Sequence, residues 1–365
     1  MKIKSKKYNL CIIGTFPPPI HGLALVNKAM KEEFVKAGLN PLVLNINCNG
    51  LNRSIINIFY RFIKVVLTFP RFSYQILVHR IKYLYIGLSG GFGQVYDLIF
   101  IFIGALLRLK IYIHHHSFAY LNKWSILTKL IVWISKNSAD HIVLCDYMKT
   151  KLARYNKNIT IHILSNAVFV DSSDVKTFEI KDKFPVIGFF SNISFDKGIK
   201  EYFEVIEALI NNGYKIKGLI AGSISDEITK TYVDSKLSVL KGIQYLGQIE
   251  NKEKLNFLNK MDILLMPTKY KNEAEPLVIH EAMSHGIAVI AWDRGCISNI
   301  ILPATGVVID KENQYVSSAV NNIVDWIINP NKLILTRKLS YKQFNSKKFV
   351  NMEQLKSIIN GVSNS

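Results

Sequence analysis

The chain is poor in acid. Its 365 residues carry 27 Asp and Glu against 46 Lys and Arg, a formal net charge of +19 at pH 7. That balance points to an anionic partner: a phosphorylated small molecule, a membrane surface or a nucleic acid. A nucleic-acid binder would gather its cations in a compact block interleaved with aromatics. The lysines here are scattered, and no nucleic acid is expected as a partner. Cysteine is scarce as well. Cys11, Cys48, Cys145 and Cys296 stand far apart and show no metal-ligand spacing. Cys11 and Cys145 lie in apolar, strand-like runs, which favours burial and a reducing compartment. Long hydrophobic runs are also missing. The longest uncharged apolar run, 98–107, is too short to span a bilayer. The basic N-terminus leads into an apolar run that meets three prolines at 17–19 with no small-residue cleavage site. It reads as a first strand, not a signal peptide.

What is present is a βαβ rhythm. The length favours two domains. Short apolar strands are predicted at 10–14, 42–46, 83–88, 111–114 and 141–144, with helices at 23–37, 95–109 and 124–136 between them. Residues 170–183 are polar and lack apolar periodicity, and read as a linker. A second series follows, with strands at 186–190, 217–221, 243–246, 263–266, 288–291 and 306–309. Alternation of this kind predicts an α/β fold of parallel sheets covered on both faces. The expected division is an N-terminal domain over 1–169, the linker over 170–183, a C-terminal domain over 184–331, and a helical segment over 332–365.

The most informative stretch follows the predicted strand 263–266. In Glu273-Ala274-Glu275-Pro276-Leu277-Val278-Ile279-His280-Glu281-Ala282-Met283-Ser284-His285-Gly286, two glutamates stand eight positions apart across a proline, and a glycine closes a helical run. Carboxylates accept hydrogen bonds from hydroxyls, in which sugars are dense. The carboxyl end of a strand is where open α/β sheets bind ligands. Glu275 has the wrong spacing to Glu281 and reads as loop surface.

With this strand–loop–helix–strand context, the chain resembles the family-4 glycosyltransferases of GT-B architecture, two Rossmann-like parallel-sheet domains facing across a cleft. The resemblance spans nearly the whole chain and is strongest over 187–310. It implies that Glu273 touches hydroxyls of a donor sugar and that Glu281 binds the ribose hydroxyls of its nucleotide. It also implies that Pro276, Leu277 and Val278 open a helix whose N–H groups face the donor. Ser191-Asn192-Ile193-Ser194-Phe195-Asp196-Lys197-Gly198 is similar to the family's diphosphate-binding segment. Lys197 supplies the cation that a leaving diphosphate needs, but Asn192 stands where the family usually has arginine.

In the first domain, Pro17-Pro18-Pro19-Ile20-His21-Gly22 occupies the loop after strand one, where the family carries a glycine-rich loop near donor phosphates and acceptor. Gly22 permits close backbone approach, and His21 is either a structural loop residue or an acceptor contact. The resemblance implies that a histidine at such a strand end faces the donor sugar; in His114-His115-His116-Ser117 register favours His116 for it, with His114 second and assigned to the acceptor side. Neighbours on an extended chain alternate faces, so the three cannot easily share one metal ion. Asn166-Ala167-Val168 resembles the family's hinge at the end of the first domain.

At about 100° per residue, Arg53, Asn57, Arg61, Lys64 and Thr68 fall in one narrow arc of a helix over 53–69 whose other positions are nearly all apolar. Such a stripe fits an anionic membrane interface or a helix packed on the sheet with one polar edge. The resemblance implies a retaining enzyme that moves a sugar from a nucleotide-diphosphate sugar to a saccharide or polyprenyl-linked acceptor, without a metal. The expected setting is cytoplasmic, peripheral to the membrane and in cell-surface polysaccharide synthesis. A nucleotide-sugar 2-epimerase and a catalytically silent binding subunit are the rival readings.

Overall fold

The computed structural model describes residues 8–18, 20–47, 55–174, 177–179, 184–310 and 313–363, with the side chains of 55–62 outside that description. Pro19, Cys48 and Arg53, parts of the 170–183 segment, and the side chains of Asn57 and Arg61 therefore lie outside the described residues. The chain divides into two compact units, one of residues 1–169 with 350–365 and one of residues 170–349.

The first unit carries β1 (Leu10–Gly14), α1 (Gly22–Lys36), β2 (Leu42–Asn45), α2 (Ile55–His79), β3 (Tyr83–Leu88), α3 (Gly93–Leu106), β4 (Lys110–His115), α4 (Ala119–Asn122), α5 (Ile126–Ser135), β5 (Ala139–Val143), α6 (Asp146–Leu152) and β6 (Thr160–Ile163). Its strands form one parallel sheet in the order β2-β1-β3-β4-β5-β6. β1 and β3 are buried at every position, as expected of strands covered on both faces. The side chain of Asn27 on α1 is wedged between Gly14 and Gly87, where an added Cβ would come within 2.5 and 2.3 Å of it. Its amide donates to the Thr15 carbonyl at 3.0 Å. The two glycines thus let α1 sit close over the carboxyl ends of β1 and β3.

The second unit carries β7 (Val186–Phe190), α7 (Ile199–Asn211), β8 (Lys217–Ala221), α8 (Glu227–Val239), β9 (Ile243–Tyr245), α9 (Asn251–Lys260), β10 (Ile263–Met266), α10 (Leu277–Ser284), β11 (Ala288–Trp292), α11 (Ile297–Ile300), β12 (Gly306–Ile309), α12 (Tyr315–Ile328) and the start of α13 (Pro330–Ser363). Its parallel sheet has the order β12-β11-β10-β7-β8-β9. β10 pairs with β7 on one side and β11 on the other, Ile263 lying beside both Ile187 and Ala288. The core under this sheet joins Ile187, Phe189, Phe203, Ile220, Leu265 and Trp326. Fully burying one such side chain stabilises the fold by about 1.5–3 kcal/mol.

A buried ion pair ties β10 down at its N-terminal end. Arg337 Nη1 meets Asp262 Oδ1 at 2.6 Å, and Asp262 Oδ2 accepts from the Val186 amide at 3.0 Å. Arg337 Nε donates to the Gly286 carbonyl at 2.8 Å. Burial lowers the guanidinium's pKa, and the Asp262 charge opposes that shift. Such pairs cost much to desolvate and more to break, so this one fixes the position of the strand that leads into the Glu273 loop.

Several boundaries differ from the sequence expectation. The 53–69 helix runs on to His79 with Pro70 inside it. Its polar arc is described only at Lys64, whose ammonium donates to the Asn47 carbonyl, and at Thr68, which bonds back to the Lys64 carbonyl at 2.7 Å. Helix 124–136 is α5 with the separate short α4 before it, and β6 and α6 had no expected counterpart. Asn166–Phe169 is a 3-10 turn.

Candidate functional site

Strand order locates a site before any side chain is considered. From β7 the chain moves to β8 and β9 on one side, then returns to place β10 on the other side of β7. Open α/β sheets bind ligands at such a reversal, outside the carboxyl ends of the strands. The loops there are 191–198 after β7 and 267–276 after β10.

Glycines hold the two loops against their neighbours. Gly198 begins α7 in the left-handed region, at φ 89°. A Cβ on it would stand 2.2 Å from the Pro267 carbonyl oxygen, so only glycine allows this approach. Lys197 is thereby fixed beside the β10 loop. Gly295, at φ 56°, leaves a similar gap for the carbonyls of Glu273 and Ala274, 2.3 and 2.6 Å from its would-be Cβ. The Cys296 amide then donates to the Ala274 carbonyl at 2.8 Å. The loop after β11 thus buttresses the backbone that carries Glu273.

The structure brings Lys197 and Glu273 together. Lys197 Nζ lies 2.5 Å from Glu273 Oε2 and 4.8 Å from the centre of the Tyr270 ring. Thr268 Oγ1 donates to the same carboxylate oxygen at 3.3 Å. The two side chains keep 23% and 12% of their exposure, so the pair is sheltered yet reachable from solvent. One turn into α10, Glu281 Oε1 pairs with Lys254 Nζ of α9 at 2.9 Å. Both glutamates of the motif are therefore held by a lysine. Between them, Pro276 precedes α10 with φ −65°, and no side chain caps the helix. Leu277 and Val278 occupy the first turn, where helical N–H groups lack intrahelical acceptors.

Asn192 sits in the β7 loop with no cation of its own. Its Oδ1 accepts from Ser223 Oγ at 3.2 Å, and the backbone around it is zipped to the β8 loop through Ile193 and Ser223. Glu275 corrects the sequence expectation. It is not loop surface: its side chain is fully buried, 3.1 Å from Nε2 of the equally buried His280. His280 on α10 is what Glu275 meets in the interior, while Glu273 faces Lys197.

In the first unit, His21 caps α1. Its Nδ1 accepts from the Ala24 amide at 3.4 Å, and Gly22 is the helix's first residue. The expected acceptor role of His114 is corrected. It has no exposed surface, and Nδ1 shares a 2.7 Å hydrogen bond with Tyr85 OH. His116 is half-buried and lies on the His114 ring, with centroids 3.9 Å apart. His115 turns the other way, bonding Tyr120 OH at 3.1 Å and His141 Nδ1 at 2.9 Å. Burial, reinforced by the neighbouring histidines, holds His114 and His115 well below the ordinary imidazole pKa. Burial lowers His141 to about 4 against the opposing charge of Asp140. These are neutral core imidazoles.

Lys254, Thr268, Tyr270 and Gly295 escaped sequence reasoning. Lys254 stands in a lysine-rich helix that marks none of its members. Only Gly295, before a short helix, carried a local signal.

Residues 171–343 match the family profile of glycosyl transferases group 1. A capsular polysaccharide biosynthesis glycosyltransferase, CapM, from Staphylococcus aureus is 24% identical over 243 residues, 61% of this chain and 62% of that protein. A GDP-mannose-dependent monoacylated alpha-(1-6)-phosphatidylinositol monomannoside mannosyltransferase from Corynebacterium glutamicum is 28% identical over 144 residues, 38% of this chain and 37% of its own. The chain thus matches less than two thirds of the length of these relatives. Among solved structures, Anabaena HepE in complex with UDP superposes with a TM-score of 0.70 at 14% identity, covering 98% of this chain and 99% of its own. The sucrose-phosphate synthase of Thermosynechococcus elongatus superposes at 0.73 and 13% identity, covering 98% and 100%. Likeness at this identity establishes the fold, which is GT-B.

Proposed function

We propose, from a second unit that matches the profile of glycosyl transferases group 1, that the protein is a retaining glycosyltransferase acting on a nucleotide-diphosphate sugar. The observation that carries this reading is the Lys197–Glu273 pair at the reversal point of the sheet. A bound donor exchanges partners with it. The diphosphate takes the Lys197 ammonium, which offsets the charge that develops as the nucleotide leaves. Glu273, relieved of Lys197, accepts from sugar hydroxyls. Glu281 accepts from the ribose hydroxyls while Lys254 holds its Oε1. The amides of Leu277 and Val278 at the uncapped start of α10 add donors for sugar and phosphate oxygens, favoured by the helix dipole. Pro276 aims that turn, and Asn192 supplies an amide where a second cation would stand. In the first unit, the resemblance assigns Gly22 and His116 to donor contacts and His21, which caps α1, to the acceptor. In the transfer step the bond from the anomeric carbon to the phosphate oxygen breaks. The acceptor oxygen bonds to that carbon on the same face, and its proton passes to the departing phosphate. No metal is assigned a role.

UDP in the HepE complex and GDP-mannose in the name of the mannosyltransferase support a nucleoside diphosphate as the carrier. Capsular polysaccharide and a phosphatidylinositol glycolipid in the relatives' names support a saccharide or lipid-linked acceptor, in cell-surface polysaccharide synthesis. The proposed setting is cytoplasmic and peripheral to the membrane, with 53–69 as a first candidate footing. The test is transfer from the donor that binds to a lipid-linked saccharide extract, with the product's anomer read by NMR. Retention of the donor's configuration is expected, and an inverted product overturns the reading. An epimer formed without acceptor would favour an isomerase. Bound donor with neither product would favour a silent binding subunit, to which Asn192 lends its support.

A further inference from the structure

Two helices of the first unit are partly inverted: each buries polar side chains and exposes a row of large apolar ones, although Phe100, Ile101, Ile131 and Val132 are buried too. Helix α3 buries two polar side chains, Gln94 and Asp97, and exposes Phe92 before it, then Val95, Ile99, Phe102 and Leu106. That spacing of three and four lines the exposed residues along one stripe. Phe92 is 90% exposed and Leu106 70%. Helix α5 repeats the inversion: Thr128 and Ser135 are buried, whereas Ile126, Leu130 and Trp133 face out. Beneath this surface the buried polar groups bond either to the backbone or to one another. Asp97 Oδ2 accepts from the Ser89 amide at 2.6 Å, and the Gln94 amide donates to Thr128 Oγ1 at 3.1 Å. A helix that faces water keeps its polar residues outside.

The two stripes share one face with α2. The chain crosses the sheet in one direction from β2 through β3 and β4 to β5. Right-handed crossovers therefore put α2, α3 and α5 on the same side, and α3 packs against both others. Helix α2 adds Leu67, Tyr74 and Leu77 to the exposed set. Among the described residues, fifteen of the twenty-eight exposed large hydrophobics lie between Ile63 and Trp133, and exposed apolar side chains gathered in this way mark an interaction surface, unlike ones scattered singly. Charge selects the occupant. From 63 to 138 the sequence has nine Lys and Arg and one acid, Asp97, which is buried. Arg71, Arg108, Lys123, Lys129 and Lys136 are exposed.

We infer that the α2–α3–α5 face seats in the interface of an anionic lipid bilayer. The apolar stripes enter the acyl boundary while the cations meet lipid phosphates. This widens the 53–69 footing to two helices outside that segment, and it rests on the proposed membrane setting but not on the transfer chemistry. The test is flotation of the full chain with phosphatidylcholine vesicles with and without phosphatidylglycerol, beside a variant carrying Phe102→Ser, Leu106→Ser and Trp133→Ser. All three positions are exposed, so the variant should keep its fold and its nucleotide response. Flotation with the anionic vesicles is expected, weakened at least about tenfold in the variant. Quenching of tryptophan emission by brominated acyl chains, reduced by Trp133→Phe, is the companion result. The inference is overturned if the wild type ignores anionic vesicles, or if the variant floats equally. It is also overturned if the wild type is a dimer that the variant makes monomeric, which would assign the face to a second copy. Because vesicle binding is read without donor or acceptor, failure here is distinguishable from failure of the transferase reading.

Discussion

At the scale of single residues, the site is a set of ion pairs. Lys197 with Glu273 and Lys254 with Glu281 hold both motif carboxylates in place. Lys254 is expected to act by positioning Glu281. Lys254→Ala should raise the donor KM about five- to tenfold and leave kcat nearly unchanged, the pattern of lost uniform binding. A fall in kcat at constant KM would contradict it, and steady-state kinetics over donor concentration separates the two. Glu273, Glu281 and Lys197 were legible because each sits in a local motif: a strand end, a proline turn, a lysine followed by glycine. Lys254 was not, because its role depends on α9 lying beside α10. Glu275 was misread because sequence spacing does not reveal which loop carboxylate turns inward to His280.

At the scale of elements, parallel strands were the most legible feature. β1, β3, β7, β10 and β11 are nearly continuous apolar runs buried almost throughout, as double-sided burial requires. β6 was not legible, since all four of its residues are exposed or only partly buried. The inversion of α3 and α5 was equally hidden: a helical period shows two faces but not which one meets the sheet. The histidines of β4 and β5 carry a pH consequence. His114, His115 and His141 have folded pKa values below the ordinary 6.5. The unfolded chain therefore takes up protons first as pH falls. The stability they contribute is present above about pH 6.5 and is lost on descent toward the folded values. Between pH 7.5 and 5.5 each should cost about 1 kcal/mol, roughly 3–4 kcal/mol together. Tm followed by calorimetry should fall over that interval, and a level Tm would show that these imidazoles are not held neutral.

At the scale of the whole molecule, the charge noted first in the sequence divides into two uses. Lys197 and Lys254 stand at the site, and the cations of 63–138 surround an exposed apolar face. No helix among the described residues is long and apolar enough to cross a membrane, so contact through that face would be peripheral. The central claim is that the sheet's reversal point holds a nucleotide-diphosphate sugar between Lys197 and Glu273. The most direct measurement is a thermal-shift panel of UDP-, GDP-, ADP- and CMP-sugars on the wild type, Lys197→Ala and Glu273→Ala. One base class should raise the wild-type Tm, since a ligand at 100 times its Kd adds about 2.7 kcal/mol to native stability, and both variants should lose most of that rise. No shift with any nucleotide sugar, or a shift undiminished in both variants, would contradict the account.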